Sequence, residues 1–380
     1  MTMTDPAKPR RRFRVRPTYI LALFIPAAII LELLHVLHVA EVSPVVIFVT
    51  SAMGVIPTAA LMGKATEEIA AKSGPGIGGL LNVTFDNAPE LIIAFFALIA
   101  GLQEVVKASL VGSVIGNILL VLGASMLVGG LNHERQRFNQ TAAAALSAML
   151  LLALVALIMP TVFEALHGGE LPAVGDELER AQPATLTLSF AVSIVLMVTY
   201  ALGLVFSLRT HRDLFNPFEE EAEEHEGGWS IKKSIVMLAI AGAAVGVMSE
   251  ILVGSISEAS ETIGLSPFFI GLFVVAIVGN AAEHWVAVLV AAKDKMDLAV
   301  NICIGSSAQI ALFVAPLLVI LSFFFGPEPM ALVFNGYELG AMLFAVLIAN
   351  FVTQEGESNW FEGVQLLAVY LVLGLVFFFA

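Results

Sequence analysis

The feature that most constrains this chain is a series of apolar runs, each long enough to cross a bilayer as a helix, which takes about 20 residues. The runs occur at 18–40, 44–62, 76–101, 105–130, 139–164, 184–208, 231–257, 264–292, 298–325, 330–351 and 361–380. Only 13% of the residues are charged, whereas soluble domains have about 25%. The runs are continuous, so they exclude a spanning β-barrel, whose strands alternate in short segments. The sequence predicts an all-α polytopic membrane protein with eleven transmembrane helices.

The basic residues indicate how these helices are oriented. Six of them precede the first run: Lys8, Arg10, Arg11, Arg12, Arg14 and Arg16. If the amino terminus is cytoplasmic and the runs alternate, every other Lys or Arg except Lys107 and Arg180 falls on the cytoplasmic side. The first run lacks the Ala-x-Ala exit of a signal peptide, so it is predicted to be retained as a helix. The short loops fit a bacterial cytoplasmic membrane, and a net charge of −14 excludes nucleic acid as a partner.

The second half of the chain repeats polar features of the first. A shift of 193 residues places Asn87, Ala88 and Glu90 on Asn280, Ala281 and Glu283 without a gap. The same shift places Gly112-Ser113 on Gly305-Ser306. Five helices in each copy make an odd number, so the two copies must cross the membrane in opposite directions. Such inverted repeats are typical of alternating-access transporters with a binding site near the midplane.

The repeat divides the chain into four parts. We expect a basic cytoplasmic tail and a peripheral first helix over 1–43, and a first five-helix repeat over 44–208. An acidic cytoplasmic linker follows over 209–230, and the second five-helix repeat occupies 231–380. The linker contains the acidic string at 219–226. A solvated linker is the favoured interpretation of this string, and a regulatory Ca²⁺ site is the alternative.

Two glutamates lie in the middle of apolar runs. The insertion of a charged residue at a helix centre costs about 2.5–3.5 kcal/mol, and neither Glu90 nor Glu283 has a basic residue within two helical turns. Asn87 and Asn280 lie three residues earlier and therefore share a helix face with their glutamates. The plain alternative is a pair of neutral glutamates that join helices by hydrogen bonds. The duplication favours a functional site.

The side chains around these glutamates favour a hard cation. Carboxylate and amide oxygens suit Ca²⁺ most, and the sequence offers no cluster of thiolates or histidines for zinc or copper. When the cation leaves, two neighbouring buried carboxylates cannot both remain ionised, so a proton should be taken up. Hydroxyls and amides on the following helices would complete a polar shell: Ser113, Asn117, Ser306 and Gln309. His284 would tune or relay the proton, or would simply pack by a hydrogen bond.

These motifs resemble a known family. Asn87-Ala88-Pro89-Glu90-Leu91-Ile92 and Gly279-Asn280-Ala281-Ala282-Glu283-His284 are similar to the two signature repeats of the calcium/proton exchangers, in the calcium/cation antiporter superfamily. The resemblance implies two inverted five-helix repeats, with Glu90 and Glu283 as shared Ca²⁺ and proton carriers. It also implies that His284 modulates or relays the proton. The second and seventh helices would be the mobile elements, and Glu250 on the seventh would guard an entrance.

One residue departs from the family pattern. The first motif of the family usually opens with Gly, and here Asp86 occupies that position. We expect Asp86 to face water at the entrance and to attract cations, since one residue of helix turns it about 100° from Asn87. The alternative is that it changes the charge of the site.

The sequence therefore predicts a secondary antiporter that exchanges cytoplasmic Ca²⁺ for protons, with Ca²⁺ as a transported substrate and with no cofactor. It has no phosphate-binding Gly-x-x-x-x-Gly-Lys-[Ser/Thr] loop, so no nucleotide is expected. An intramembrane metallohydrolase is disfavoured by the absence of His-Glu-x-x-His, and no enzymatic activity is expected. The alternatives that stay open are a Na⁺ or K⁺/proton antiporter on the same scaffold and a passive cation channel.

Overall fold

The computed structural model describes residues 20–131, 133–174, 181–210 and 228–380. The basic amino-terminal residues, Arg180 and the acidic string at 219–226 lie outside the described residues. The helices are α1 Phe24–Val36, α2 Pro44–Ala70, α3 Pro75–Phe85, α4 Ala88–Ile99, α5 Gln103–Gly130, α6 Gln140–Leu166, α7 Pro183–Thr210, α8 Ile231–Ile263, α9 Pro267–Ala291, α10 Met296–Ser322, α11 Gly336–Thr353 and α12 Trp360–Phe379. Two short strands, β1 Gln136–Arg137 and β2 Glu357–Ser358, pair antiparallel.

Nine helices in the described ranges are long and apolar enough to cross a membrane. The shorter apolar helices are α1 and α4. This confirms the prediction of a helical membrane protein. The count of eleven crossings stays a prediction, because it treats α1 as one crossing and α3 with α4 as another.

The loops meet in two groups, as an alternating chain requires. Arg135 and Arg137 both form ion pairs with Glu357 at 3.1 Å, beside the β1–β2 pair. At the other ends of the helices, Gln103 donates to the backbone carbonyl of Glu328 at 2.7 Å. The first group contains loops that the basic residues predict to be cytoplasmic, and the second contains loops that they predict to be outside.

The third predicted run is two helices, because the chain breaks at Asp86 and Asn87. Pro89 lies in the first turn of α4 and has no N–H to donate to the carbonyl of Phe85, so the helix cannot run through. Asn87 stands at the N-cap position of α4, but its side chain makes no capping hydrogen bond there. The break therefore leaves the Asn87 amide available to another element.

Four of the long helices in the described ranges contain a π-helical turn, and the turn in α7 covers Phe206–Thr210 at its end. The turn in α5 covers Gly116–Val121 and the turn in α10 covers Ile310–Val314. The 193-residue shift places the first on 309–314, so the two copies share this irregularity. A further π turn at Ile270–Val275 opens α9. Such turns are rare and are frequent at functional sites, and the three in α5, α9 and α10 adjoin the motif residues.

The predicted run at 330–351 starts too early. Residues 330–335 are buried and extended, and α11 begins only at Gly336, after a capping box made by Asn335 and Glu338. Side chains of neighbouring helices satisfy the backbone of the extended segment: Leu332 N–H donates to Ser189 and Phe334 N–H to Thr161. Apolar composition alone does not distinguish such a segment from a helix.

Lys107, one of the two basic residues predicted on the outer side, is buried in a helix. It lies in α5, is 6% exposed, and donates to the carbonyl of Val333 at 2.9 Å. Its charge is compensated nearby by the carboxylates of Glu338 and Glu104. Lys107 therefore anchors the extended segment instead of marking the side on which a loop lies.

Candidate ion-binding site

Glu90 is the most deeply placed carboxylate of the motifs. It lies in the first turn of α4 and is 9% exposed. The positive end of the α4 dipole favours a negative charge there. A Cβ atom at Gly279 would stand 3.2 Å from Glu90 Cγ. Glu90 thus packs directly against the second motif, in the space that a side chain at position 279 would need.

Glu283 lies in the middle of α9 and is half-buried. Its carboxylate is close enough to that of Glu90 for the two to repel each other, and Ser306 also interacts with it. The structure thus brings together the two glutamates that the repeat predicts to meet.

The motif amides pair across the two halves of the chain. Ser306 donates to Asn87 Oδ1 at 2.9 Å, and Asn87 Nδ2 donates to Gln309 Oε1. In the other copy, Asn280 Nδ2 donates to Ser113 at 3.0 Å and to the carbonyl of Ala276 at 2.9 Å. Each Asn therefore contacts the Gly-Ser helix of the opposite half.

His284 pairs with Asn117. Its Nε2 lies 2.9 Å from Asn117 Oδ1, and this amide oxygen can only accept, so Nε2 carries the hydrogen. The pair joins α9 to the π turn of α5. The hydrogen-bonded role of His284 is thus present in the structure, and its role in proton relay stays a prediction.

Four oxygens at the site are buried and have no hydrogen-bond partner among the described residues. They are Glu90 Oε1, Glu90 Oε2, Glu283 Oε1 and Asn280 Oδ1. An unpaired buried polar atom costs about 1–3 kcal/mol, so a set of four is typical of a site that takes up a partner from outside the protein. All four are hard oxygen acceptors, the donor type that Ca²⁺ prefers. Within the described ranges, no three His, Cys, Asp or Glu side chains form a metal-binding group, so amides must complete this site.

The two motif glycines differ in their surroundings. A Cβ atom at Gly112 would stand 1.9 Å from the carbonyl oxygen of Leu272, in the π turn of α9. A Cβ atom at Gly305 would meet nothing within 4 Å. The backbone of another helix thus approaches closely at Gly112 and does not at Gly305.

A small cavity beside Glu90 includes a residue that the motifs did not indicate. Its lining includes Glu90, Ser113 and Ser109. Ser109 precedes Ser113 by four residues, and Asn117 follows it by four, so the three lie on one face of α5. This spacing is the signal that would have identified Ser109. The second copy has Ile302 at the equivalent position.

The two predicted entrance residues are both exposed. Asp86 stands at the α3–α4 break and interacts electrostatically with Glu90, Glu283 and Glu67. Glu250 is exposed on α8, outside the hydrogen-bonded cluster. The structure therefore places Asp86 beside the site, and the role of Glu250 stays a prediction.

Comparison with known proteins agrees with this architecture. The model of the sodium/calcium exchanger protein family matches residues 43–209 and 233–379. The Ca(2+)/H(+) antiporter of Aphanothece halophytica is 45% identical over 372 residues, which cover 94% of this chain and 95% of that protein. The Ca(2+)/H(+) antiporter ChaA of Bacillus subtilis is 46% identical over 336 residues, which cover 88% and 92%.

Solved structures give the same result. Native YfkE has a TM-score of 0.79 at 40% identity, and the match covers 96% of this chain and 100% of that chain. The H⁺/Ca²⁺ exchanger CAX has a TM-score of 0.69 at 14% identity, over 95% and 92% of the two chains, which shows the shared fold. The chain therefore belongs to the sodium/calcium exchanger protein family and, within it, to the calcium/proton exchangers.

Proposed function

We propose that this protein is a secondary active antiporter that exchanges cytoplasmic Ca²⁺ for protons. The observation that carries the proposal is the set of four buried oxygens of Glu90, Glu283 and Asn280 that have no hydrogen-bond partner among the described residues. Two carboxylates balance the charge of a divalent cation. Relatives that bear the name Ca(2+)/H(+) antiporter, at 45% and 46% identity, support Ca²⁺ and protons as the substrates.

The coupling follows from the proximity of the two carboxylates. Glu90 and Glu283 repel each other in a poorly solvated site, so both cannot stay ionised once the cation has left. Protons then neutralise the pair, and a returning cation displaces them. Occupancy by Ca²⁺ and by protons is mutually exclusive, and this converts a proton gradient into Ca²⁺ extrusion.

The polar shell holds these carriers in position. The Asn87 links to Ser306 and Gln309 tie the α3–α4 break to α10. The link between Asn280 and Ser113 ties α9 to α5. His284 acts with Asn117 on the side of Glu283 and tunes or relays the proton there.

Access to the site alternates between two inverted repeats, 44–208 and 231–380, with 1–43 peripheral and 209–230 a cytoplasmic linker. Three observations support this division: the family model matches the chain twice, the π turns of α5 and α10 are equivalent under the repeat shift, and the motif amides pair across the halves. The long helices α2 and α8 move against the rest of the bundle. The amino terminus is cytoplasmic, in a bacterial cytoplasmic membrane, and bacterial relatives support this location.

The experiment is Ca²⁺ uptake into acid-loaded inside-out vesicles by the Glu90→Gln and Glu283→Gln variants. Glutamine keeps the side-chain shape and removes the ionisable group, so each variant should fall to the rate of vesicles without the protein. Glu164→Gln is the matched control, because Glu164 is also buried in a long helix but accepts a hydrogen bond from Thr185. Wild-type rates in either site variant would remove that residue from the mechanism.

Two further conditions separate the rival functions. An ionophore that dissipates the pH gradient should stop net uptake, whereas uptake that voltage alone sustains would indicate a channel. Competition among Ca²⁺, Mn²⁺, Na⁺ and K⁺ in the same vesicles should show a preference for Ca²⁺. A preference for a monovalent ion would indicate the Na⁺ or K⁺ antiporter.

A further inference from the structure

The two motifs differ at the position before the asparagine, where Asp86 in the first copy corresponds to Gly279 in the second. The structure shows why the second copy has glycine there. A Cβ atom at Gly279 would lie 3.2 Å from Glu90 Cγ and 3.8 Å from Glu90 Cα, so the carboxylate arm of Glu90 occupies that space. In the first copy, the chain breaks at Asp86 and a third carboxylate stands beside the site.

The three carboxylates form a gradient from water to the interior. Asp86 is exposed, Glu283 is half-buried and Glu90 is 9% exposed. Asp86 interacts electrostatically with both inner carboxylates. A cation that arrives at Asp86 from water is therefore attracted by the two inner carboxylates as well.

A second acidic residue faces Asp86 from another helix. Glu67 lies near the end of α2, is exposed, and is close enough to Asp86 to repel it. Just beyond the end of α2, Lys72 binds the carbonyl of Trp229. Both residues lie in loops that the basic residues predict to be on the cytoplasmic face. Asp86 and Glu67 thus stand at the mouth of the site on that face.

A separate observation, on Glu90, favours a ligand further inside than Asp86 and Glu67. Both carboxylate oxygens of Glu90 are buried and have no hydrogen-bond partner in the described part of the chain. They lie next to Gly279 and inward of Asp86.

We propose that Asp86, together with Glu67, is a first binding station for a divalent cation and raises the apparent Ca²⁺ affinity of the cytoplasmic face alone. The inference rests on the proposed function. The second copy supplies glycine instead of a carboxylate at the equivalent position, so the outward-facing state lacks this station. The protein thereby captures Ca²⁺ at low concentration on one side and releases it at higher concentration on the other.

The test measures the half-saturating Ca²⁺ concentration in inside-out and right-side-out vesicles for wild type, Asp86→Asn and Asp86→Gly. Removal of one unit charge near a divalent ion should raise this concentration about fivefold at the cytoplasmic face. It should leave the value at the opposite face unchanged. Added salt should raise the half-saturating Ca²⁺ concentration of the wild type. It should also reduce the difference between the wild type and the variants.

Equal affinity of wild type and both variants at the cytoplasmic face would overturn the inference. A shift of the same size at both faces would also overturn it, because Asp86 would then act as a ligand of the central site. Glu67→Gln should shift the cytoplasmic value in the same direction and keeps the motif intact. None of these outcomes bears on the proposed function, which is tested separately by the Glu90→Gln and Glu283→Gln variants, the ionophore and the ion competition.

Discussion

At the residue scale, the site depends on polar pairs that join the two halves of the chain. Asn87 has its side chain at an N-cap position but does not cap α4; it accepts from Ser306 and donates to Gln309 instead. A local helix-capping bond is exchanged for two bonds to α10. The position of the α3–α4 break therefore depends on the opposite repeat.

This dependence makes a prediction for Asn87→Ala. The substitution removes the hydrogen bonds that Asn87 makes with Ser306 and Gln309, and a buried polar group that loses its partner costs about 1–3 kcal/mol. We expect a lower Tm of the purified protein and a loss of Ca²⁺ uptake. Adding Ser306→Ala should then cost little more, because its hydrogen bond is already gone. Fully additive losses in the double variant would show that the two residues act separately.

The repeat pattern predicted which residues form the site, but it did not predict how they pair. It identified the glutamates and asparagines because an ionisable or amide group in an apolar run is costly and thus informative. It missed Ser109, since a serine in a membrane helix is an ordinary packing residue. The pairing of His284 with Asn117 also requires coordinates, because the two lie 167 residues apart.

At the element scale, the equivalent glycines of the two repeats provide a matched pair. Gly112 in α5 faces the backbone of Leu272 in the α9 π turn, and Gly305 in α10 faces open space. Gly112→Ala should destabilise the protein by about 1–3 kcal/mol, the usual cost of overpacking, since a backbone carbonyl cannot rotate away. Gly305→Ala should be tolerated.

The measurement is the yield and Tm of each variant after detergent extraction, followed by Ca²⁺ uptake. A lower Tm and lower uptake for Gly112→Ala, with wild-type values for Gly305→Ala, would confirm that the α5–α9 contact is tight on one side of the repeat. Equal tolerance of both substitutions would contradict it.

The start of a helix could be predicted where the sequence changes from polar to apolar. It could not be predicted where the sequence is apolar on both sides of the boundary. The start of α8 follows a polar segment and agrees with the predicted start at 231. The extended segment at 330–335 is as apolar as a helix, and Ser189 and Thr161 from distant helices satisfy its backbone. The α3–α4 break lies inside a run that is apolar on both sides, and Pro89 is the residue that accounts for it.

At the scale of the whole molecule, the proposed motion requires that α2 and α8 shift together against the helices that carry the glutamates. The two helices pack tightly, since a Cβ atom at Gly54 would stand 2.7 Å from the sulfur of Met248. The contact from α8 to α4 is looser: a Cβ atom at Gly246 would lie 3.7 Å from the Phe96 ring. Tight packing within the pair and looser packing against α4 are what a moving pair requires.

A short thiol cross-linker distinguishes these contacts in a Cys303→Ala background, since Cys303 is the single cysteine of the chain. Linking Gly54→Cys to Met248→Cys joins α2 to α8 within the moving pair and should preserve Ca²⁺ uptake. Linking Gly246→Cys to Phe96→Cys joins α8 to the helix of Glu90 and should abolish uptake until the linker is cleaved. Transport that survives both links would show that α8 does not move against α4 during the cycle.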